Sequence, residues 1–274
     1  MDRPALRPPF AYYGGKTLLA EQIAAMLPTH EHYVEPFAGS LAVLLAKPAA
    51  RWETVNDLDG DLVTFWRVLR DQPVDLARLA SLTPHSREEY VTSSRALDVE
   101  SDLERARRVW VLLTQNRSQS MRHSGWKYRA DASMGTSMPD YLAAYAERIE
   151  SAAQRLRNVS LENRDALDVI RDYGKHANVC IYADPPYLGS TRATGYRHEL
   201  KGDDQHRVLA DALNACEASI VLSGYDSPLY AELFDGWHAT RLKAPTSLSG
   251  EGGRVEVLWS NRPLGEPDLF GGVA

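Results

Sequence analysis

The sequence predicts an α/β fold: an open, largely parallel sheet whose strands alternate with helices, interrupted by a helical insertion. Three observations carry this. Short β-favouring runs near both ends of the chain stop at turns and lead into amphipathic stretches. Between residues 73 and 158 the strand signals vanish and helical periodicity takes over. The last two apolar runs flank a Gly/Ser-rich loop and read as an antiparallel hairpin. A chain of 274 residues accommodates one large domain with a second inserted into it. The expected division is 1–72, then the insertion at 73–158, then 159–274.

The elements follow in order. Residues 32–35 read as a strand, 37–40 as a tight loop and 41–47 as a helix closed by Pro48. Residues 53–56 make a second strand, and 61–70 an amphipathic helix with Leu62, Phe65, Trp66 and Leu69 on one face. After Gln72-Pro73 come helical stretches at 86–97, 102–116 and, following Pro139, 140–157. A Ser/Gly/Met-rich loop at 118–137 separates the last two. Alternation then resumes with strand 159–162, helix 165–173 stopped by Gly174, strand 178–183, helix 204–215 and strand 219–223. Segments 238–243 and 255–260 form the hairpin.

Composition is that of a soluble globular protein, with 44% hydrophobic and 25% charged residues. No apolar run reaches membrane-spanning length, and Met-Asp-Arg-Pro lacks the form of a signal peptide, so the cytoplasm is the expected location. Cys180 and Cys216 have no CxxC spacing, which argues against a disulfide frame or a zinc site; no metal is expected. The net charge of −6 alone argues mildly against a nucleic-acid partner. Its distribution argues the other way. Arg105, Arg107, Arg108, Arg117, Arg122, Lys127 and Arg129 are seven cations in a stretch without Asp or Glu, and removing them from −6 leaves −13 elsewhere. One positive segment on an acidic body is a footprint for a polyanion; the plainer reading is that its helical arginines solvate an outer face.

The tetrapeptide Asp184-Pro185-Pro186-Tyr187 directly follows the apolar run 178–183. A buried strand ending in two prolines stops at a sheet edge, where α/β proteins build their sites. Proline pushes Asp184 toward extended geometry, and neither proline donates a hydrogen bond. The turn therefore presents acceptors, the Asp184 carboxylate and the Pro185 carbonyl, beside the flat ring of Tyr187. Two acceptors and a stacking face suit a planar group bearing an amino nitrogen.

Three further turns qualify this. Gly14-Gly15-Lys16-Thr17 is no P-loop, because Phe10 stands where the first glycine is required. It leaves a flexible glycine pair and a cation for a ligand carboxylate, with Tyr12 and Tyr13 before it. Glu35-Pro36-Phe37-Ala38-Gly39-Ser40 is a strand-to-helix turn with one glycine, too few for a pyrophosphate cradle, which favours a nucleoside ligand without phosphates. Asp57 follows the second strand 18 residues after Gly39, a spacing at which an acid holds ribose hydroxyls; helix capping falls more naturally to Asp59 or Asp61.

In this order, these motifs and the DPPY turn resemble the Dam-like adenine-specific DNA methyltransferases over nearly the whole chain. The resemblance implies a Rossmann-like, S-adenosylmethionine-dependent methyltransferase sheet with a target-recognition insertion. It implies cofactor contacts from Tyr12, Gly14, Gly15, Lys16, Glu35, Pro36, Phe37, Gly39, Asp57 and Asp184, and catalysis by Asp184, Pro185, Pro186 and Tyr187. Asn116-Arg117-Ser118 matches a family element, and Trp126-Lys127-Tyr128-Arg129 falls near the family's DNA-contacting hairpin. Contacts to double-stranded DNA are thus expected from Asn116, Arg117, Arg122, Lys127 and Arg129. Residues 119–125 depart from the family's apolar-Asn-Gly pattern, which leaves the target sequence open.

The implied chemistry is transfer of a methyl group to the N6 amine of a flipped-out adenine. The implied setting is a bacterial or phage-encoded, monomeric, DNA-associated enzyme of restriction-modification type. Alternatives are an amino-group methyltransferase of the same fold acting on RNA, cytosine or a protein glutamine, or a catalytically silent DNA-binding relative. Ser223-Gly224-Tyr225 reads either as part of the base pocket or as a strand-to-helix turn. The tail Glu266-Pro267-Asp268-Leu269-Phe270 resembles peptides that dock on the bacterial sliding clamp, against the plainer reading of a frayed terminus.

Overall fold

The computed structural model describes residues 5–95, 97–131, 135–186, 202–242 and 255–265. Tyr187 and the tail peptide 266–270 lie outside the described residues. Among the described residues seven strands form one sheet: β1 (His32–Glu35), β2 (Trp52–Asn56), β3 (Val159–Glu162), β4 (Val179–Ala183), β5 (Ser219–Tyr225), β6 (His238–Arg241) and β7 (Glu256–Ser260). Their spatial order is β3-β2-β1-β4-β5-β7-β6. The first five pair in parallel, and β7 runs antiparallel between β5 and β6. The expected hairpin therefore forms the sheet edge beyond β5, with its second strand, β7, on the inner side.

The switch point lies between β1 and β4, which pair from His32↔Val179 to Val34↔Ile181. From β1 the chain winds outward through β2, and from β4 it winds the opposite way through β5. Connections leaving β1 and β4 diverge, and a crevice opens at the carboxyl ends of the two strands. Glu35 and Asp184 stand at that edge.

Side-chain alternation builds the two layers. Tyr33, Cys180, Tyr182, Val221 and Leu258 point into one core, and Val34, Ile181, Ala183, Leu222 and Val257 into the other. The second core is closed by α9 (Ala166–Tyr173), α10 (Asp203–Asn214) and α11 (Pro228–Leu233). The first is closed by α1 (Ala20–Met26), α2 (Ala42–Ala46) and α3 (Gly60–Asp71).

Residues 73–158 hold α4 (Pro73–Leu82), α5 (Arg87–Arg95), α6 (Asp102–Gln115), α7 (Met138–Ala146) and α8 (Ile149–Leu156). Leu76, Trp110, Leu113, Leu142, Ile149 and Leu156 belong to the same buried cluster as Phe65, Trp66 and Leu69 of α3. Helical insertion and sheet thus share a continuous core, and the Trp110 indole reinforces it by donating to the Pro9 carbonyl at 2.9 Å.

The structure adds α1, α4 and α11 to the expected elements. Helices α4 and α11 both begin at a proline, whose missing N–H costs nothing in a first helical turn. The single helix expected over 140–157 is two, α7 and α8. Arg148 N–H bonds back only three residues, to Tyr145 O at 3.2 Å, while its guanidinium donates to Pro8 O at 3.1 Å. Among the described residues no helix is long and apolar enough to cross a membrane.

Candidate active site

A cavity of about 410 Å³ occupies the crevice. The structure brings the separate turns of the sequence together around it. Tyr12, Gly14, Gly15 and Lys16 form one wall, and Glu35, Pro36, Phe37 and Gly39 of the turn after β1 form another. Asp57 after β2, with Asp184 and Pro186 after β4, completes the polar rim. Pro185 is buried beside it.

The turns are locked to one another. Gly39 has φ +47, and a Cβ there would meet the Tyr12 ring at 3.2 Å. A Cβ on Gly15 would stand 3.0 Å from Tyr12 O and 3.2 Å from Ser40 Oγ. These glycines therefore let the Tyr12 ring bridge the two loops. The Gly39 carbonyl accepts from the Trp66 indole at 3.1 Å, and its N–H donates to Asp57 Oδ2 at 2.9 Å. Asp57 Oδ1 accepts from Asp59 N–H at 2.9 Å, and Asp59 caps α3 through the Asp61 and Leu62 amides. Asp57 thus aims a charged acceptor at the cavity while fixing the Gly39 loop.

Lys16 is the charge centre. Its Nζ donates to Asp184 Oδ1 at 2.8 Å, Asp184 Oδ2 at 3.0 Å and Gly14 O at 2.9 Å. Burial works against its charge, but the carboxylates of Asp184 and Glu256 outweigh burial and raise its pKa. In this conformation the hydrogens of Lys16, expected to serve a ligand carboxylate, are directed at Asp184 and Gly14, and the turn folds the side chain inward to 5% exposure.

Glu35 is buried, accepts from Tyr33 Oη at 3.0 Å, and burial lifts its pKa to about 8. It is protonated at neutral pH. Besides the protonated Glu35, the described residues line the cavity with five further acids, Asp57, Asp59, Asp165, Asp184 and Asp204, against one lysine already paired with an acid. Leu58, Leu167, Val208 and Leu209 supply apolar walls. An acidic, partly apolar cleft of this kind repels polyphosphate and suits a cationic nucleoside.

The basic segment divides in two. Arg107 pairs with Glu89 and Glu104 at 2.6 Å, Arg108 with Glu104 at 2.7 Å, and Arg105 with Asp98 at 3.2 Å. Glu104 of the same helix, with Glu89 and Asp98 of neighbouring segments, thus pairs the three helical arginines, a correction to their expected share in a polyanion footprint. Arg117, Arg122, Lys127 and Arg129 lie on the loop beyond α6. Arg117 lies over the Tyr128 ring at 5.5 Å, and Lys127 over Tyr141 at 4.1 Å with its ammonium 3.0 Å from Tyr141 Oη. Arg129 donates to the Thr136 carbonyl.

Asn116 is fully buried. Its amide nitrogen donates to the Ser120 and Arg122 carbonyls, and its oxygen accepts from Tyr90 Oη and Ser124 Oγ. Both its donors and its acceptor are spent. The expected DNA contact from Asn116 is therefore replaced by a scaffold role, shaping the loop that carries Arg117 and Arg122. That loop also touches the Lys16 turn, where Tyr13 N–H donates to Gln119 O at 2.8 Å. In the other flagged tripeptide, Ser223 and Gly224 are interior to β5: Ser223 Oγ lies 2.8 Å from Tyr182 Oη, and Tyr230 fills the space a Gly224 Cβ would take.

Comparison with known proteins decides what this arrangement belongs to. The family model for D12 class N6 adenine-specific DNA methyltransferase matches residues 12–248, most of the chain. The chain belongs to this family. A type II methyltransferase of Lactococcus lactis subsp. cremoris is 29% identical over 287 aligned positions, 93% of this chain and 95% of the relative. DNA adenine methylases of Haemophilus influenzae and Vibrio cholerae are 23% and 26% identical, each over 89% of this chain and over 88% and 91% of their own length.

Sequence reasoning passed over several residues of this adenine-specific DNA methyltransferase. Asp165 lines the cavity just beyond β3, and an acid shortly after a parallel strand was the same signal that marked Asp57 and Asp184. Asp204 and Gln205 come from the start of α10 and Tyr182 from within β4, and neither position carries a local signature. Glu256, 3.9 Å from Lys16, reads only as a hairpin residue.

Proposed function

We propose that this methyltransferase binds S-adenosylmethionine in the 410 Å³ cavity and methylates N6 of an adenine flipped out of double-stranded DNA. The observation that carries the reading is Asp184: it lines the cavity, follows the strand at the switch point, and is held by Lys16 at 2.8 Å. The cavity fits this cofactor, since its acids favour a sulfonium and an amine, its apolar walls favour a purine, and Lys16 in its wall is paired with Asp184. Tyr12, Gly14, Gly15, Lys16, Glu35, Pro36, Phe37, Gly39 and Asp57 would hold it, with Asp57 facing sugar hydroxyls. When bound, the cofactor supplies an electrophilic methyl group.

The protein's own residues do the rest. The adenine N6 lone pair is delocalised into the ring, so the amine is a poor nucleophile. The Asp184 carboxylate and the Pro185 carbonyl accept its two hydrogens and draw the nitrogen toward tetrahedral geometry. As the N–C bond forms, positive charge gathers on nitrogen, and Asp184 stabilises it and takes one proton. Lys16 aims the carboxylate at the amine. Tyr187 stacks on the flipped base. Arg117, Arg122, Lys127 and Arg129 contact phosphates and base edges, and Asn116 holds their loop in shape.

The test is incorporation of tritiated methyl groups into adenine-containing duplexes, with long-read mapping of methylated adenines in treated genomic DNA. Incorporation confined to adenine supports the reading. Label in cytosine or RNA, or wild-type activity in Asp184→Ala, overturns it.

A further inference from the structure

Lys16 faces two carboxylates. Its hydrogens go to Asp184 and Gly14, and Glu256 Oε1 stands 3.9 Å from Nζ, outside hydrogen-bond reach but within strong Coulomb range. The sheet holds Glu256 there. It lies opposite Tyr225 in the antiparallel β5–β7 ladder, and its side chain is 11% exposed. A carboxylate this withdrawn from water carries a desolvation cost that a positive neighbour offsets. The methyl-transfer chemistry above gives Glu256 no task.

We propose that Glu256 is a positioning residue for methyl transfer, sharing the Lys16 charge so that the Asp184 carboxylate stays a strong acceptor for the adenine amine. The inference rests on the reading of Asp184 as that acceptor. With one carboxylate alone, the ammonium would concentrate on Asp184 and weaken it as acceptor and base. With Glu256 beside it, part of the field is cancelled. The groups facing Asp184 are Lys16 from the N-terminal turn, Glu35 of β1, Tyr182 of β4 and Tyr230 of α11; Tyr225 of β5 and Glu256 of β7 face it through Lys16. Burial raises the pKa of Glu35, Tyr182 and Tyr230, so all three stay protonated near neutrality. Glu256 tunes the pair by its charge.

The experiment is single-turnover methyl transfer at pH 7.5 with saturating cofactor and duplex, for wild type, Glu256→Gln and Asp184→Asn. Glu256→Gln should slow transfer about 3–10-fold, because the Lys16 field then falls undivided on Asp184 and weakens it as an acceptor. Dissociation constants for cofactor and DNA should stay within about twofold of wild type, which separates a tuned transfer step from uniform loss of binding. A wild-type rate, or a loss confined to cofactor affinity, overturns the inference. Should Glu256→Gln unfold, Glu256→Asp is read instead; it draws the carboxylate back by one methylene and should slow transfer by less. Wild-type transfer by Asp184→Asn would sink the Asp184 reading itself. An inactive Asp184→Asn beside an unaltered Glu256→Gln would sink the Glu256 inference alone.

Discussion

Lys16 and Asp184 stand 168 positions apart in the chain, and the Lys16 ammonium meets both Asp184 oxygens at 2.8 and 3.0 Å. The Gly-Gly-Lys turn and the DPPY turn are therefore one charged unit, so damage to either should be felt at the reacting amine.

Lys16→Met leaves the 18%-exposed Asp184 carboxylate without its close cation. Single-turnover methyl transfer should fall by about 10²–10³-fold, in the range seen when one preorganised electrostatic group is removed. The raised lysine pKa places any pH-dependent contribution at high pH: it is fully present below the unfolded value of 10.5 and is lost only as pH rises through the folded value. Melting temperatures of wild type and Lys16→Met should therefore run parallel from pH 6 to 9. A difference that changes across that range would contradict the assignment.

Glu35 behaves oppositely to an ordinary carboxylate. Its pKa is lifted from 4.5 to about 8, so between those values the folded state holds a proton that the unfolded state has released. Stability from this group is present below 4.5, declines as pH rises toward 8, and levels off above it. At about 1.4 kcal/mol per pKa unit, with discount for local water entry, the loss should be roughly 2–3 kcal/mol. Glu35→Gln removes the titration, so its stability relative to wild type should improve steadily from pH 5 to 8.5 in urea denaturation.

Gly39→Ala forces a side chain onto a backbone at φ +47 and a methyl to 3.2 Å from the Tyr12 ring. The conformational penalty is about 1 kcal/mol, and displacement of Tyr12 adds to it. Calorimetric titration should show weakened S-adenosylmethionine binding together with a lowered melting temperature. Unchanged binding would mean that the ring does not border the ligand.

Asn116 and Arg117 are adjacent but should fail differently. Asn116→Ala removes a fully buried amide and strands the Ser120 and Arg122 carbonyls, at a cost of about 1–3 kcal/mol. Arg117→Ala leaves the core intact. It should weaken DNA binding with little change in melting temperature and lower the log–log salt slope by about 1. Electrophoretic mobility shifts over a salt series, beside thermal melts, distinguish the two.

Much of this molecule was legible in the chain because its signals are local. Parallel strands at 32–35, 159–162 and 178–183, the proline stop after β4 and the lone glycine of the turn after β1 depend on short-range sterics and hydrophobic alternation. The break between α7 and α8 was hidden because no proline or glycine marks it; the Arg148 reach to Pro8, 140 positions away, accompanies the turn there. The apparent cationic run misled because charge along a sequence is not charge in space. Arg105 and Arg107 find Asp98 and Glu89 on neighbouring segments, and Arg107 and Arg108 share Glu104 on their own helix.

By itself the sequence determined the order of turns, the lone glycine of the turn after β1, and the pair of acceptors at Asp184 and Pro185. Only the tertiary structure decided that Lys16 serves Asp184, that Asn116 faces inward, and that Glu256 completes the charge cluster. These are distances between residues far apart in the chain, set when strands β1, β4 and β7 pack into one sheet, and no local periodicity encodes them.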